Sequence, residues 1–129
     1  MPDDLIHRYL QTDDAELDAH WQRLQGWLQQ RLGRKRPGIE AILFLIGIQE
    51  RGHGYEPDLA REAKQDLIME GTYHAFAALD VYRRVGMEAN GAWIWERMVT
   101  LPKLSVEEQE KLLRLAIVRY FEPILEASP

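Results

Sequence analysis

Four side chains have types and spacings that could do chemistry together: Glu50, Asp66, Glu70 and His74. Asp66, Glu70 and His74 recur every four residues, so on a helix they stack along one side. On a helical wheel begun at Leu59, the residues Ala63, Leu67, Ala77 and Val81 form an apolar stripe. Glu70 and His74 fall inside that stripe and Asp66 lies just beside it. The preceding apolar segment repeats the pattern: Ile39, Leu43 and Ile46 define a face that Glu50 continues, with Gln49 next to it. Carboxylates facing a core are costly unless they are paired, protonated or bound to metal.

Each of those three outcomes is a distinct chemistry. In the first, Glu70 pairs with His74 across one helical turn, and Arg84 or Arg119 neutralises a carboxylate from another helix. Buried polar residues are most often satisfied in this way. In the second, Glu50, Asp66, Glu70 and His74 form a metal site for a manganese, iron or zinc ion, as carboxylates and imidazoles do inside helical bundles. The carboxylate-bundle signature is a repeated Glu-x-x-His, whereas Glu70 and His74 form a single Glu-x-x-x-His, and His-Glu-x-x-His is absent. In the third, burial raises a carboxylate pKa toward neutrality and makes it a general base. His53, between two glycines and near Glu50, reads as a loop residue or as a fourth ligand, while His7 and His20 read as surface residues. Tyr55 and Tyr73 could add hydroxyls to a polar cluster.

The elements that must carry these residues are helices. Asp13 and Glu16 have capping-box spacing ahead of a helix from about Asp14 to Leu32, whose apolar face is Leu17, Trp21, Leu24, Leu28 and Leu32, and Gly33 stops it. A short helical turn at Leu5 to Leu10 precedes it. The next helix begins near Pro37 and runs to about Arg51; it is apolar nearly all round, which marks a central helix or one at a subunit interface. Pro57 opens the longest helix, reaching about Arg84. Gly86 to Gly91 is a turn region, and Trp93 to Thr100 reads as a short helix, broken by Pro102. Ser105 and Glu108 form another capping box before a last helix through Tyr120 and Phe121, which Pro123 ends or kinks. The expected fold class is all-α: one domain over residues 1–129, a bundle of four main helices plus short N-terminal and Trp-containing helical segments, with the two most apolar helices at its centre.

Composition narrows the function classes. With 46% apolar and 29% charged residues the chain is neither disordered nor membrane-embedded, and its longest apolar run, Ala41 to Ile48, is far short of the roughly 20 residues of a bilayer span. The absence of cysteine excludes a disulfide scaffold, a thiol nucleophile and a thiolate metal site. An acidic N-terminus without a signal-peptide core points to a cytoplasmic location. A net charge of −5 argues against nucleic-acid binding. One local exception is the basic cluster Arg31, Arg34, Lys35 and Arg36, which either complements a helix C-terminus or meets a phosphate or an acidic partner. There is no P-loop, no G-x-G-x-x-G, no G-x-S-x-G, no zinc-finger spacing and no well-placed helix-turn-helix.

At Ile46-Gly47-Ile48-Gln49-Glu50 and Lys64-Gln65-Asp66-Leu67 the chain resembles a small family of uncharacterised all-helical bacterial proteins, over roughly Pro37 to Tyr120. The resemblance implies a helical fold and carries no assigned activity, so no catalytic role transfers. The all-round apolar helix and the segment Met87, Trp93, Trp95 and Met98 offer more apolar surface than one small bundle needs, and interface cores favour Trp, Tyr and Met. The leading expectation is therefore a non-enzymatic interaction module forming a homodimer, with another protein as a further possible partner and no membrane or nucleic-acid role. The alternative is a metal-binding protein or metal-dependent enzyme using the four residues above.

Overall fold

Capping and apolar periodicity place five helices in the computed structural model, which describes residues 3–33, 35–51, 60–89 and 92–127. They are α1 (Asp3–Leu10), α2 (Asp14–Leu32), α3 (Ile39–Arg51), α4 (Arg61–Ala77) and α5 (Val106–Ala127). Asp13 caps α2 by accepting from the Glu16 amide at 3.0 Å, and Gly33 ends it in the left-handed conformation at φ 64°. Ser105 and Glu108 form a reciprocal box at the start of α5, with bonds of 3.1 and 3.0 Å. Helix α5 continues past Pro123 to Ala127 rather than ending there.

The fold is not purely helical. The segment expected to extend the long helix to Arg84 instead forms strand β1 (Tyr82–Met87), and the segment Trp93 to Thr100 provides strand β2 (Trp93–Arg97) rather than a short helix. The two pair antiparallel, with Arg84 opposite Trp95 and Met87 opposite Trp93, and a register shift between Arg84 and Gly86 leaves Val85 as an extra residue on β1. The physical reason begins at the end of α4. Asp80 takes a positive φ of 62°, which short polar side chains tolerate, and the chain turns out of the helix there. Val81 and Tyr82 follow with strand-favouring side chains. In β2 the order half-buried Trp93, exposed Ile94, half-buried Trp95 is the two-residue period of a strand, so both indoles share one face, which no helix would allow. The Asn90-Gly91 turn signal, the helix opening at Pro57, Tyr55 and His53 lie outside the described residues.

The core is shared by every helix: Ile6 from α1, Leu24 from α2, Ile42 and Ile46 from α3, Ala75 from α4, and Ile117 from α5 are all buried. Helix α5 packs against each of α1, α2, α3 and α4. Its buried residues, Leu112, Leu115, Ala116, Ile117, Val118 and Phe121, point in almost every direction around its axis, as a central helix requires. The ion pairs Lys111–Asp14 at 2.9 Å and Arg114–Asp18 at 3.1 Å fasten it to α2 along the rim. The centre is therefore α5 rather than the expected pair, while α3 and α4 make the closest helix pairing. Among the described residues, no helix is long and apolar enough to cross a membrane.

Candidate functional site

The closeness of α3 and α4 comes from two glycines. A Cβ on Gly47 would collide with the carbonyl oxygen of Leu67 and stand 2.7 Å from its carbonyl carbon. A Cβ on Gly71 would collide with the carbonyl oxygen of Leu43 and stand 2.8 Å from its carbon. Both obstructions are backbone, so only glycine permits the two helices to cross at this distance. The crossing then fixes what lies one turn further on. Glu50 is three residues beyond Gly47, His74 is three beyond Gly71, and Glu70 is beside Gly71; all three converge.

His74 is the middle of the resulting cluster. Its Nε2 lies 3.2 Å from Oε1 of Glu70, and its Nδ1 lies 3.7 Å from Oε2 of Glu50. A carboxylate only accepts, so in the tautomer that makes this bond to one the ring donates from Nε2. The gap on the Nδ1 side is too long for a hydrogen bond. Arg51 approaches the other oxygen of Glu70 at 3.6 Å, and the hydroxyl of Tyr120 donates to Oε1 of Glu50 at 2.8 Å. Trp95 closes one side, meeting the His74 ring edge-on at 4.8 Å while stacking on Tyr73 at 5.5 Å. Glu70 and His74 are 7% and 6% exposed and form the buried centre of the cluster, while Glu50 and Tyr120 are half-buried and Arg51 reaches solvent; α3, α4, α5 and β2 all contribute to it.

Three of the four sequence-predicted site residues therefore come together, and Asp66 does not. It is exposed. The direction in which α4 is buried is set by Leu67, Gly71, His74 and Ala75, and Asp66 points about 120° away from it. The wheel begun at Leu59 placed the stripe too far toward Asp66. Among the described residues, no three or more of His, Cys, Asp and Glu are arranged to hold a metal ion. The geometry explains this: Glu50 and Glu70 face opposite nitrogens of one imidazole, so a single ion cannot take both carboxylates together with the ring. The expected partners Arg84 and Arg119 are elsewhere; Arg84 lies over Trp93 at 4.6 Å and Arg119 is exposed. Arg51, Tyr120 and Trp95 were not anticipated as members. The available signals are Gly47 and Gly71, glycines inside helical patterns, which commonly mark a close packing contact.

Tyr120 gives the cluster a measurable signature. Burial raises its phenol pKa above the ordinary 10.0, and the hydrogen bond to and charge of Glu50 push it the same way. The folded chain thus holds this proton more tightly than the unfolded chain. The stability it contributes is complete below pH 10.0 and is lost as the pH rises above that value. Thermal melts across the alkaline range are expected to fall more steeply for the wild type than for Tyr120→Phe. Parallel curves would mean that the hydroxyl is not buried against Glu50.

On the opposite side of α3 is a second feature. Phe44, Leu45 and Ile48 are half-buried there, away from the core-facing Ile42, Leu43 and Ile46, and they floor an open groove of about 720 Å³. Its remaining wall comes from the C-terminal turn of α2 and the residues that follow it. Compared with known protein families, curated proteins and solved structures, the chain matches none.

Proposed function

We propose that the chain is a non-enzymatic interaction module that works as a homodimer, joined through its β1–β2 hairpin. The observation that carries this reading is an unfinished sheet. Among the described residues the sheet has two strands and no third, and Val85, Met87, Ile94 and Met98 around it are 48, 54, 42 and 40% exposed. Tyr82 and Trp95 pack one face of the hairpin on α4, and its open strand edge is a template for another strand. The extra residue at Val85 interrupts the β1 edge, whereas β2 is regular. Antiparallel pairing of β2 with β2 of a second copy gives a closed twofold dimer, the commonest oligomer, and covers the apolar side chains. The mass in solution tests this. The wild type is expected to be a dimer and Ile94→Glu a folded monomer. A wild type and an Ile94→Glu variant of equal mass would reject the hairpin as the interface.

One distance favours a second reading. Nδ1 of His74 and Oε2 of Glu50, 3.7 Å apart, have the spacing of two ligands that each bind one ion at about 2.1 Å. Glu70 on the far nitrogen would orient the ring, as carboxylates do behind metal-bound histidines. In this reading the chain is a metal-binding protein for manganese, iron or zinc. Chelator-treated protein is then expected to melt several degrees higher with one of these ions, and Glu50→Gln to lose the rise. An unchanged melt with all three would reject it.

A further inference from the structure

We infer that the groove between α3 and the C-terminal end of α2 is a binding site for a free anionic amphiphile, a long-chain aliphatic carboxylate. The apolar part is supplied by α3 through Phe44, Leu45 and Ile48, with Ala41 and Leu32 beside them. The volume of about 720 Å³ lies within the roughly 300–1,000 Å³ range of small-molecule pockets, which are mostly apolar with a few placed polar groups. Here those groups are two cations, Arg31 and Lys35. On a chain of net charge −5, a groove whose charged lining residues are both basic favours an anionic ligand over a cationic one.

The walls are held in place before any ligand arrives. The guanidinium of Arg31 lies over the Trp27 ring at 3.8 Å, which fixes its position. Gln25 donates to the carbonyl of Pro37 at 2.8 Å, and Arg36 donates to the carbonyl of Gln22 at 3.5 Å. These two bonds tie the segment carrying Lys35 back onto α2. A guanidinium fork matches a carboxylate, and an ordered one loses less entropy on binding it.

Other occupants fit less well. A bare phosphate would leave the apolar floor unused. A protein helix needs about 800 Å² from each partner in a stable interface, and the apolar surface in the groove is only a small fraction of that. An alkyl chain with an anionic head uses both parts of the site. This ligand site is separate from the hairpin, so its test does not depend on dimerisation.

The test is calorimetric titration of the full chain with monomeric dodecanoate, decanoate and dodecylammonium. Saturable binding of one dodecanoate per chain is expected, with affinity falling up to about fourfold for each methylene removed. Dodecylammonium is expected to bind at least about tenfold more weakly, and the Arg31→Glu, Lys35→Glu double variant to lose about tenfold or more for dodecanoate. Ala41→Trp, at an exposed helical position that fills the groove, should abolish binding with an unchanged melting temperature. Equal affinity for the two amphiphiles, or undiminished binding by a folded Ala41→Trp variant, would overturn the proposal. So would sedimentation with phosphatidylglycerol vesicles without any binding of monomeric dodecanoate, since the ligand would then be a membrane surface.

Discussion

Gly71→Ala is expected to lower the melting temperature by about 10 °C or more, corresponding to a loss of about 3 kcal/mol. In an isolated helix the same change would be favourable by roughly 1 kcal/mol, because alanine is the better helix former. The crossing reverses the sign. The new methyl group would meet the Leu43 carbonyl oxygen and carbon and lie 3.2 Å from the Gly47 amide nitrogen. None of these atoms can rotate away as a side chain would, so α3 and α4 must separate. Gly26→Ala is the internal control. Its nearest neighbour would be the end of the Arg36 side chain at 3.4 Å, which is flexible, so propensity decides and stability should be unchanged or rise slightly. Circular-dichroism melts of both variants check the pair. A neutral Gly71→Ala would show that the two helices do not cross in backbone contact.

The second large effect belongs to His74. His74→Ala is expected to destabilise by about 3–5 kcal/mol, because it leaves the buried Glu70 carboxylate with Arg51 alone at 3.6 Å and opens a cavity under Trp95. That is a large part of the roughly 5–15 kcal/mol that holds a domain together. Replacing the pair at once, Glu70→Leu with His74→Leu, should cost far less than the single change, since an apolar pair of similar volume needs no compensation. Urea titrations of the wild type, both single leucine variants and the double variant measure this coupling directly. Additive losses would mean that the two side chains do not share a buried bond. A double variant as stable as the wild type would show that the cluster is not required for folding, which strengthens the case that it has a task of its own.

The helices were legible because their signals are local. Asp13 with Glu16, Gly33, and Ser105 with Glu108 mark ends by short-range hydrogen bonds that sequence spacing reports directly. The apolar face of α2 is likewise a matter of period. The strands are hard to read because Val81 to Met87 has no clean alternation; the extra residue at Val85 breaks it, and the exit from α4 rests on the positive φ of Asp80, which carries no glycine to mark it. Trp93-Ile94-Trp95 is apolar throughout, so its two-residue period shows only in the burial of the folded strand, and a short apolar run does not separate strand from helix.

The polar cluster was half legible for a similar reason. Period alone picked out Glu50, Glu70 and His74, because each departs from an apolar face. It could not fix helix rotation closely enough to exclude Asp66, which differs from Glu70 by about 40° on the wheel. Nor could it supply Tyr120, Trp95 or Arg51 as partners. Tyr120 is 70 residues from Glu50 in the chain, and only the packing of α5 against α3 brings the two together.

Sedimentation equilibrium of the unmodified chain tests most directly the proposal that two copies complete each other's sheet. The expected result at tens of micromolar is a species of twice the 15.1 kDa chain mass, shifting to the single mass in Ile94→Glu. A wild-type chain that remains at 15.1 kDa up to several hundred micromolar would contradict it.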